Sequence, residues 1–154
     1  MVDTSIIDTS INLGRFKMKL NDLSDMLHSL RSIEYKLTQN FEDKTGFSLT
    51  RYQILSFVKE HHECNQEEIR QFIQIDRSAI TRHLKILEEK GYVTRKRNKD
   101  NAREIIVSIS DFAKSELEKC DRKHNGNSCI LPINISGDQI NSLIELLGII
   151  ENEI

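Results

Sequence analysis

From Leu13 onward the apolar residues Leu13, Phe16, Leu20, Leu23, Leu27, Leu30, Leu37 and Phe41 fall mostly at alternating steps of three and four, with Glu34 standing where the next apolar residue is expected. That spacing is a heptad-like seam on one long helix ending near Gly46. The seam is longer than the core of a small domain needs, so part of it is expected to meet a partner helix. Glu34 fits either a solvent-facing position or a polar register marker. Thr50-Arg51-Tyr52-Gln53 has the form of a capping box. It opens a second helix carrying Ile54, Leu55, Phe57 and Val58 and ending near His61-His62. Asn65, with Glu67 and Glu68 in the turn after it, starts a third helix with Ile69, Phe72 and Ile73 as its buried face. Asp76 is the expected N-cap of a fourth. Its inner face is Ile80, Leu84 and Leu87, and its outer face is Arg77, Ser78, Thr81, Arg82 and Lys85, with Gly91 as the terminating glycine.

After Gly91 the period changes to two. Tyr92 to Arg97 reads as a strand, Asn98 to Ala102 as a polar turn, and Arg103 to Ile109 as a returning strand with Ile105, Val107 and Ile109 on one side. Ser110 caps a further helix with Phe112, Ala113 and Leu117 inside. Asn125-Gly126-Asn127-Ser128 and Pro132 mark a non-helical stretch. Ser136-Gly137-Asp138-Gln139 is another capping box, followed by Ile140, Leu143, Ile144, Leu147 and Ile150, a stripe widened by Leu146 and Ile149. A helix this apolar is not expected to face water. The predicted fold class is mainly α with a small β-hairpin wing (α+β): a winged helix-turn-helix between long N- and C-terminal dimerisation helices. Its regions are 1–47, 48–110 and 111–154, intertwined as one structural domain.

Length and composition fit a single domain of 154 residues, 38% hydrophobic and 30% charged. One proline and six glycines leave little room for an all-β fold. No apolar run approaches the roughly 18 residues that cross a bilayer, and the N-terminus lacks a signal peptide's basic and apolar regions. Three cysteines, an odd number, fit a reducing compartment better than a disulfide scaffold. The expectation is a cytoplasmic protein with no membrane partner. No Gly-rich phosphate loop, HExxH, CxxC or GxSxG occurs, so no enzyme and no cofactor are expected.

Charge sharpens the picture. Between Arg77 and Arg103 nine basic residues oppose three acidic ones, a net of +6, which leaves −8 for the remainder of a chain whose net charge is −2. A basic block on a helix-turn-helix and its wing suits double-stranded DNA. A helix fits the major groove, and a Lys- and Arg-bearing hairpin can straddle phosphates. The candidate DNA-binding residues are Arg77, Ser78, Thr81, Arg82 and Lys85 on the helix and Arg95, Lys96, Arg97, Lys99 and Arg103 on the wing. Arg82 is assigned to a base edge with Ser78 and Thr81 beside it, and Lys96 to phosphate. The alternative is a winged-helix protein-interaction module that does not bind DNA. A third option, a cysteine enzyme using Cys64 with His61 or His62, lacks an orienting partner.

Ser78-Ala79-Ile80-Thr81-Arg82-His83-Leu84, continuing through Leu87-Glu88 to Gly91-Tyr92-Val93-Thr94-Arg95, resembles the recognition helix and first wing strand of MarR-family regulators. Arg103 to Ser110 resembles the family's second wing strand, and Leu49-Thr50 with Gln53-Ile54-Leu55 also fits; the resemblance covers about residues 48–117. It implies a homodimer with intertwined terminal helices, a repressor, Arg103 in the minor groove, and wings whose spacing answers to a small-molecule effector, a metal or thiol oxidation. The sequence departs from the pattern at Asn101, where the family usually has an Asp that pairs with the wing Arg, and in a longer linker from Asn125 to Asn134. No cysteine lies in the first helix, where peroxide-sensing relatives place theirs. Cys64 stands near His61 and His62, which lower a thiol pKa if close and protonated, with a quiet cysteine the favoured reading. Cys120 and His124, at i and i+4, with Cys129 following, are metal candidates. Tyr52 and Gln53, however, occupy the region where zinc-sensing relatives carry an acid and a histidine, so no metal is expected. Tyr35, Phe41, Phe47 and Tyr52 are candidates to line an effector cleft, with core packing the favoured reading.

Overall fold

A computed structural model describes residues 17–101, 103–124 and 133–153. The seam positions Leu13 and Phe16, Ala102 of the turn, the break at Asn125 to Ser128, Cys129 and Pro132 lie outside the described residues. In chain order the elements are α1 (Leu20–Thr45), α2 (Leu49–His61), β1 (Glu63–Asn65), α3 (Gln66–Ile73), α4 (Arg77–Glu89), β2 (Val93–Arg97), β3 (Ile105–Ile109), α5 (Asp111–His124) and α6 (Gly137–Glu153). The chain divides into two units, Met1–Leu37 and Thr38–Ile154. In the first, the described part of α1 buries no residue, and Leu20, Leu23, Leu27, Leu30 and Leu37 all remain exposed along the seam.

The second unit has a single core. Ile54, Leu55 and Val58 of α2 meet Ile69 of α3, Ile80, Leu84 and Leu87 of α4, Val93 and Val107 of the sheet, and Ala113 and Leu117 of α5. The buried positions of α4 recur at steps of four and three, one face of a helix, and the period changes at Gly91 as expected. Gly91 has φ +74°, which a side chain would strain. The N–H of Tyr92, beyond it, reaches back to the Leu87 carbonyl at 2.8 Å and closes the helix end. The sheet is antiparallel in the order β1-β3-β2, with Val93 opposite Ile109 and Arg95 opposite Val107.

The structure corrects three expectations. The sheet has three strands, because Glu63-Cys64-Asn65 pairs with Ser108-Val107-Ile106 beside the predicted hairpin. α2 starts at Leu49 with Ser48 as an N-cap that makes no side-chain bond, so Thr50 is not the cap. The Leu49 N–H instead donates to Glu42 Oε1 at 3.0 Å, and this carboxylate from α1 supplies what the local box was expected to supply. Phe72 and Phe112, assigned to inner faces, are 57% and 54% exposed. Each lies on the rim against one aromatic neighbour, Phe57 at 4.5 Å and Tyr92 at 5.2 Å. Within the single chain the stripe of α6 faces outward, with no buried residue, and the expectation that a partner copy covers it is not tested by one chain.

Candidate nucleic-acid interface

The helix-turn-helix is built by its caps. Asn65 accepts from the Glu68 N–H at 2.8 Å while Glu68 accepts from the Asn65 N–H at 2.7 Å, so the N-cap the sequence predicts is completed as a reciprocal capping box. α3 ends at Gln74, a left-handed residue with φ 57° whose N–H bonds the Arg70 carbonyl, and the chain turns within Gln74-Ile75-Asp76. Asp76 Oδ1 then accepts from the N–H groups of Ser78 and Ala79 at 2.8 and 2.9 Å and from Ser78 Oγ at 2.5 Å. Those bonds, the Ser78 hydroxyl first, hold the Asp76 carboxyl below its usual range. A carboxylate fixed at that helix start orients α4 with Ile80, Leu84 and Leu87 inward and Arg77, Ser78, Thr81, Arg82 and Lys85 exposed.

The wing adds Lys96, Arg97, Lys99 and Arg103, all exposed. Arg77, Arg82, Lys96, Arg97, Lys99 and Arg103 make no ion pair among the described residues; Lys85 lies 3.8 Å from Glu89. Arg95 differs from the rest. It is half-buried on the inward side of β2 and donates through Nε and Nη2 to Glu88 Oε2 at 3.0 and 2.5 Å. The Arg95 hydrogen bond keeps the Glu88 carboxyl below its usual range. A cavity of about 220 Å³ lies between α3, α4 and the wing, with Arg70, Arg77, Thr81, Arg95 and Arg103 among its lining residues. Arg70 is already engaged by Glu67.

At the wing tip Asn98 Nδ2 donates to Glu104 Oε2 at 2.6 Å, and the Asn98 N–H donates to the Glu104 carbonyl at 2.9 Å. Asn101 Oδ1 accepts from the backbone N–H of Arg103 at 3.2 Å. Asn101 thus steadies the tip through the backbone and leaves the Arg103 guanidinium uncommitted.

The sensor candidates fare differently. Cys64 is 4% exposed, and burial together with Glu68 pushes its thiol up to about 11, in line with a quiet cysteine rather than one activated by His61 and His62. The His61 ring stacks on Phe57 at 4.1 Å, with Nδ1 2.9 Å from the Phe57 carbonyl oxygen. Burial and Asp121 also raise the Cys120 thiol. His124 is buried. Among the described residues no three His, Cys, Asp or Glu side chains come together as a metal site. Phe41 and Phe47 each pack edge to face on Tyr52, at 5.2 and 6.1 Å. The Tyr52 hydroxyl donates to Asp121 Oδ1 at 2.9 Å, and burial with that bond pushes its pKa up to about 12. These three rings fill space in the second unit, whereas Tyr35 is 64% exposed in the first.

A capped helix-turn-helix followed by a basic antiparallel wing defines a winged helix-turn-helix protein. Residues 47–105 match the family model described as MarR family. The chain is 28% identical over 131 residues to the uncharacterized HTH-type transcriptional regulator YdgJ of Bacillus subtilis, covering 85% of this chain and 80% of that protein. The fold is shared with a MarR mutant from E. coli complexed with operator DNA, at TM-score 0.75 and 17% identity over 87% of this chain and 99% of that one. It is shared equally with the transcriptional repressor CouR bound to a 23-mer DNA duplex, at TM-score 0.73 and 20% identity over 88% and 99%. Over its winged helix-turn-helix the chain is similar to MarR-family transcriptional regulators. Among the described residues no helix is long and apolar enough to cross a membrane.

Proposed function

We propose that this protein is a MarR-family transcriptional regulator, a homodimeric repressor that binds double-stranded DNA at an inverted-repeat operator, with α4 in the major groove and the wing on the adjacent backbone and minor groove. The observation that carries the reading is the set of exposed cations Arg77, Arg82 and Lys85 on α4 and Lys96, Arg97, Lys99 and Arg103 on the wing that follows it, in a chain that is acidic elsewhere. Arg82 is the base-edge residue. Arg103 is the minor-groove residue, since narrow A·T-rich grooves attract Arg, and Lys96 contacts phosphate. Arg95 contributes less free charge than its neighbours because Glu88 holds it. The outward apolar faces of α1 and α6 support the dimer, and two-fold symmetry then calls for half-sites about one helical turn apart. Between the signals the resemblance implies, small-molecule binding fits better than oxidation, because both described thiols are held above their ordinary range.

The test is in vitro selection from random duplex DNA, followed by binding at two salt concentrations. Enrichment of an inverted repeat is expected, with affinity falling about 0.9 log unit per log salt for each phosphate neutralised. A flat salt response with no enriched sequence favours the interaction-module alternative.

A further inference from the structure

The two small hydroxyl residues on the exposed face of α4 are not equivalent to free hydrogen-bonding groups. A hydroxyl has one hydrogen to donate. Thr81 Oγ1 donates its hydrogen to the Arg77 carbonyl at 2.8 Å and accepts from Gln66 Nε2, also at 2.8 Å. Gln66 is the first residue of α3, placed there by the Asn65 capping box, and its Oε1 is buried without a hydrogen-bond partner among the described residues. Reversing the Gln66 carboxamide would only hand the same Thr81 hydrogen to Oε1, so the hydroxyl is committed in either arrangement. Ser78 is committed as well, because its Oγ donates to Asp76. The N-terminal half of α4 therefore offers the arginines as its outward side-chain donors. A β-branched residue whose oxygen is turned to its own helix and to α3 has its methyl left for the exposed side.

We infer that Thr81 is a specificity-determining residue that recognises a thymine through its methyl group, and that Gln66 is the positioning residue that keeps the hydroxyl turned away. This rests on the DNA reading above. In the major groove, thymine is the base that shows a methyl, and apolar contact with it is one of the recurrent modes of readout.

The experiment uses the full chain and the operator obtained by selection. Each thymine of a half-site is replaced in turn by uracil, which removes only the 5-methyl group. For the wild type, one uracil position per half-site is expected to weaken binding about fourfold, the scale of one buried methyl. Thr81→Val, which loses the hydroxyl and keeps a methyl, retains that thymine-over-uracil preference. Thr81→Ser, which keeps the hydroxyl and loses the methyl, binds the two duplexes alike. Gln66→Ala lowers the thymine-to-uracil ratio toward one while leaving affinity for the uracil duplex unchanged, which a purely structural role would not do. Specific binding with no uracil-sensitive position, or with Thr81→Ser matching the wild type while Thr81→Val fails, overturns the Thr81 assignment alone. Failure of the selection to enrich any sequence overturns the DNA reading itself.

Discussion

α4 and α6 are both amphipathic helices, yet they close their apolar faces in different ways. α4 buries Ile80 and Leu84 completely and Leu87 to 1% exposure inside the chain. α6 has a broader apolar stripe and buries none of it, with Leu143 at 49%, Ile144 at 62% and Leu146 at 58% exposure. The seam of α1 behaves like α6. Apolar content therefore does not tell where a helix packs. The face of α4 is matched by side chains from α2, α3, α5 and the sheet of the same chain, whereas the faces of α1 and α6 need a second copy under the proposed dimer. An exposed apolar surface of that extent is otherwise a liability in a soluble chain.

The contrast breaks first at the core. Leu84→Ala is expected to cost about 2–5 kcal/mol of stability, since it leaves a cavity in a close-packed site. Urea denaturation checks this: the loss should be seen at every protein concentration, because the contacts lie within one chain. A loss that disappears at high concentration would place Leu84 in the subunit interface. Leu143→Asp makes the opposite test. A charge there is harmless in an isolated chain and strongly unfavourable once buried unpaired in a dimer. Light scattering should report a monomer mass for this variant and a dimer mass for the wild type at micromolar concentration. A dimer of unchanged mass in the variant would refute the α6 interface.

Much of the winged unit was legible because its signals are local. Asp76, the Ile80-Leu84-Leu87 spacing and Gly91 all act within a few residues of one another, and each sits where the sequence places it. What escaped was tertiary. β1 is a three-residue strand whose partners lie more than 40 residues away, so Glu63-Cys64-Asn65 carries no alternation long enough to read. The start of α2 was displaced to Thr50 because the group bonding its first N–H, Glu42, belongs to another helix. In the candidate interface, composition and helical spacing mark the cations. They do not show that Arg95 is held by Glu88 or Thr81 by Gln66, because those pairs join different elements. A Glu on the last turn of a helix and an Arg on the strand that follows its terminal glycine is the one signal that points to the first pair.

Under the proposed DNA reading, the exposed cations of the winged unit divide into reading and anchoring groups. Arg82→Ala is expected to cost about 1–3 kcal/mol on the operator and to relax preference at one or two base pairs. Lys96→Ala should weaken all sequences about equally and reduce the salt slope by about one phosphate's worth. Competition binding on a panel of operator variants separates the two. An unchanged ranking for Arg82→Ala would remove α4 from the reading role.

The smallest effect belongs to the Glu88–Arg95 pair, and it sharpens the comparison because it closes the winged unit on itself. The Glu88 side chain is 39% exposed, so solvent screens the pair and its worth is about 0.5 kcal/mol. The Arg95 hydrogen bond depresses the Glu88 pKa in the folded chain. A depressed carboxyl contributes stability that is fully present above its unfolded pKa, near 4.5, and is lost as pH falls through the lower folded value. Wild type and Glu88→Gln should therefore differ slightly in urea at pH 7 and converge as the medium is acidified below that range, with no dependence on protein concentration. The same substitution removes one negative charge and releases Arg95 beside the basic face. Binding to every duplex should then tighten modestly at low salt and less at high salt. If Glu88→Gln instead weakened DNA binding, the pair would be positioning the wing rather than restraining one of its cations.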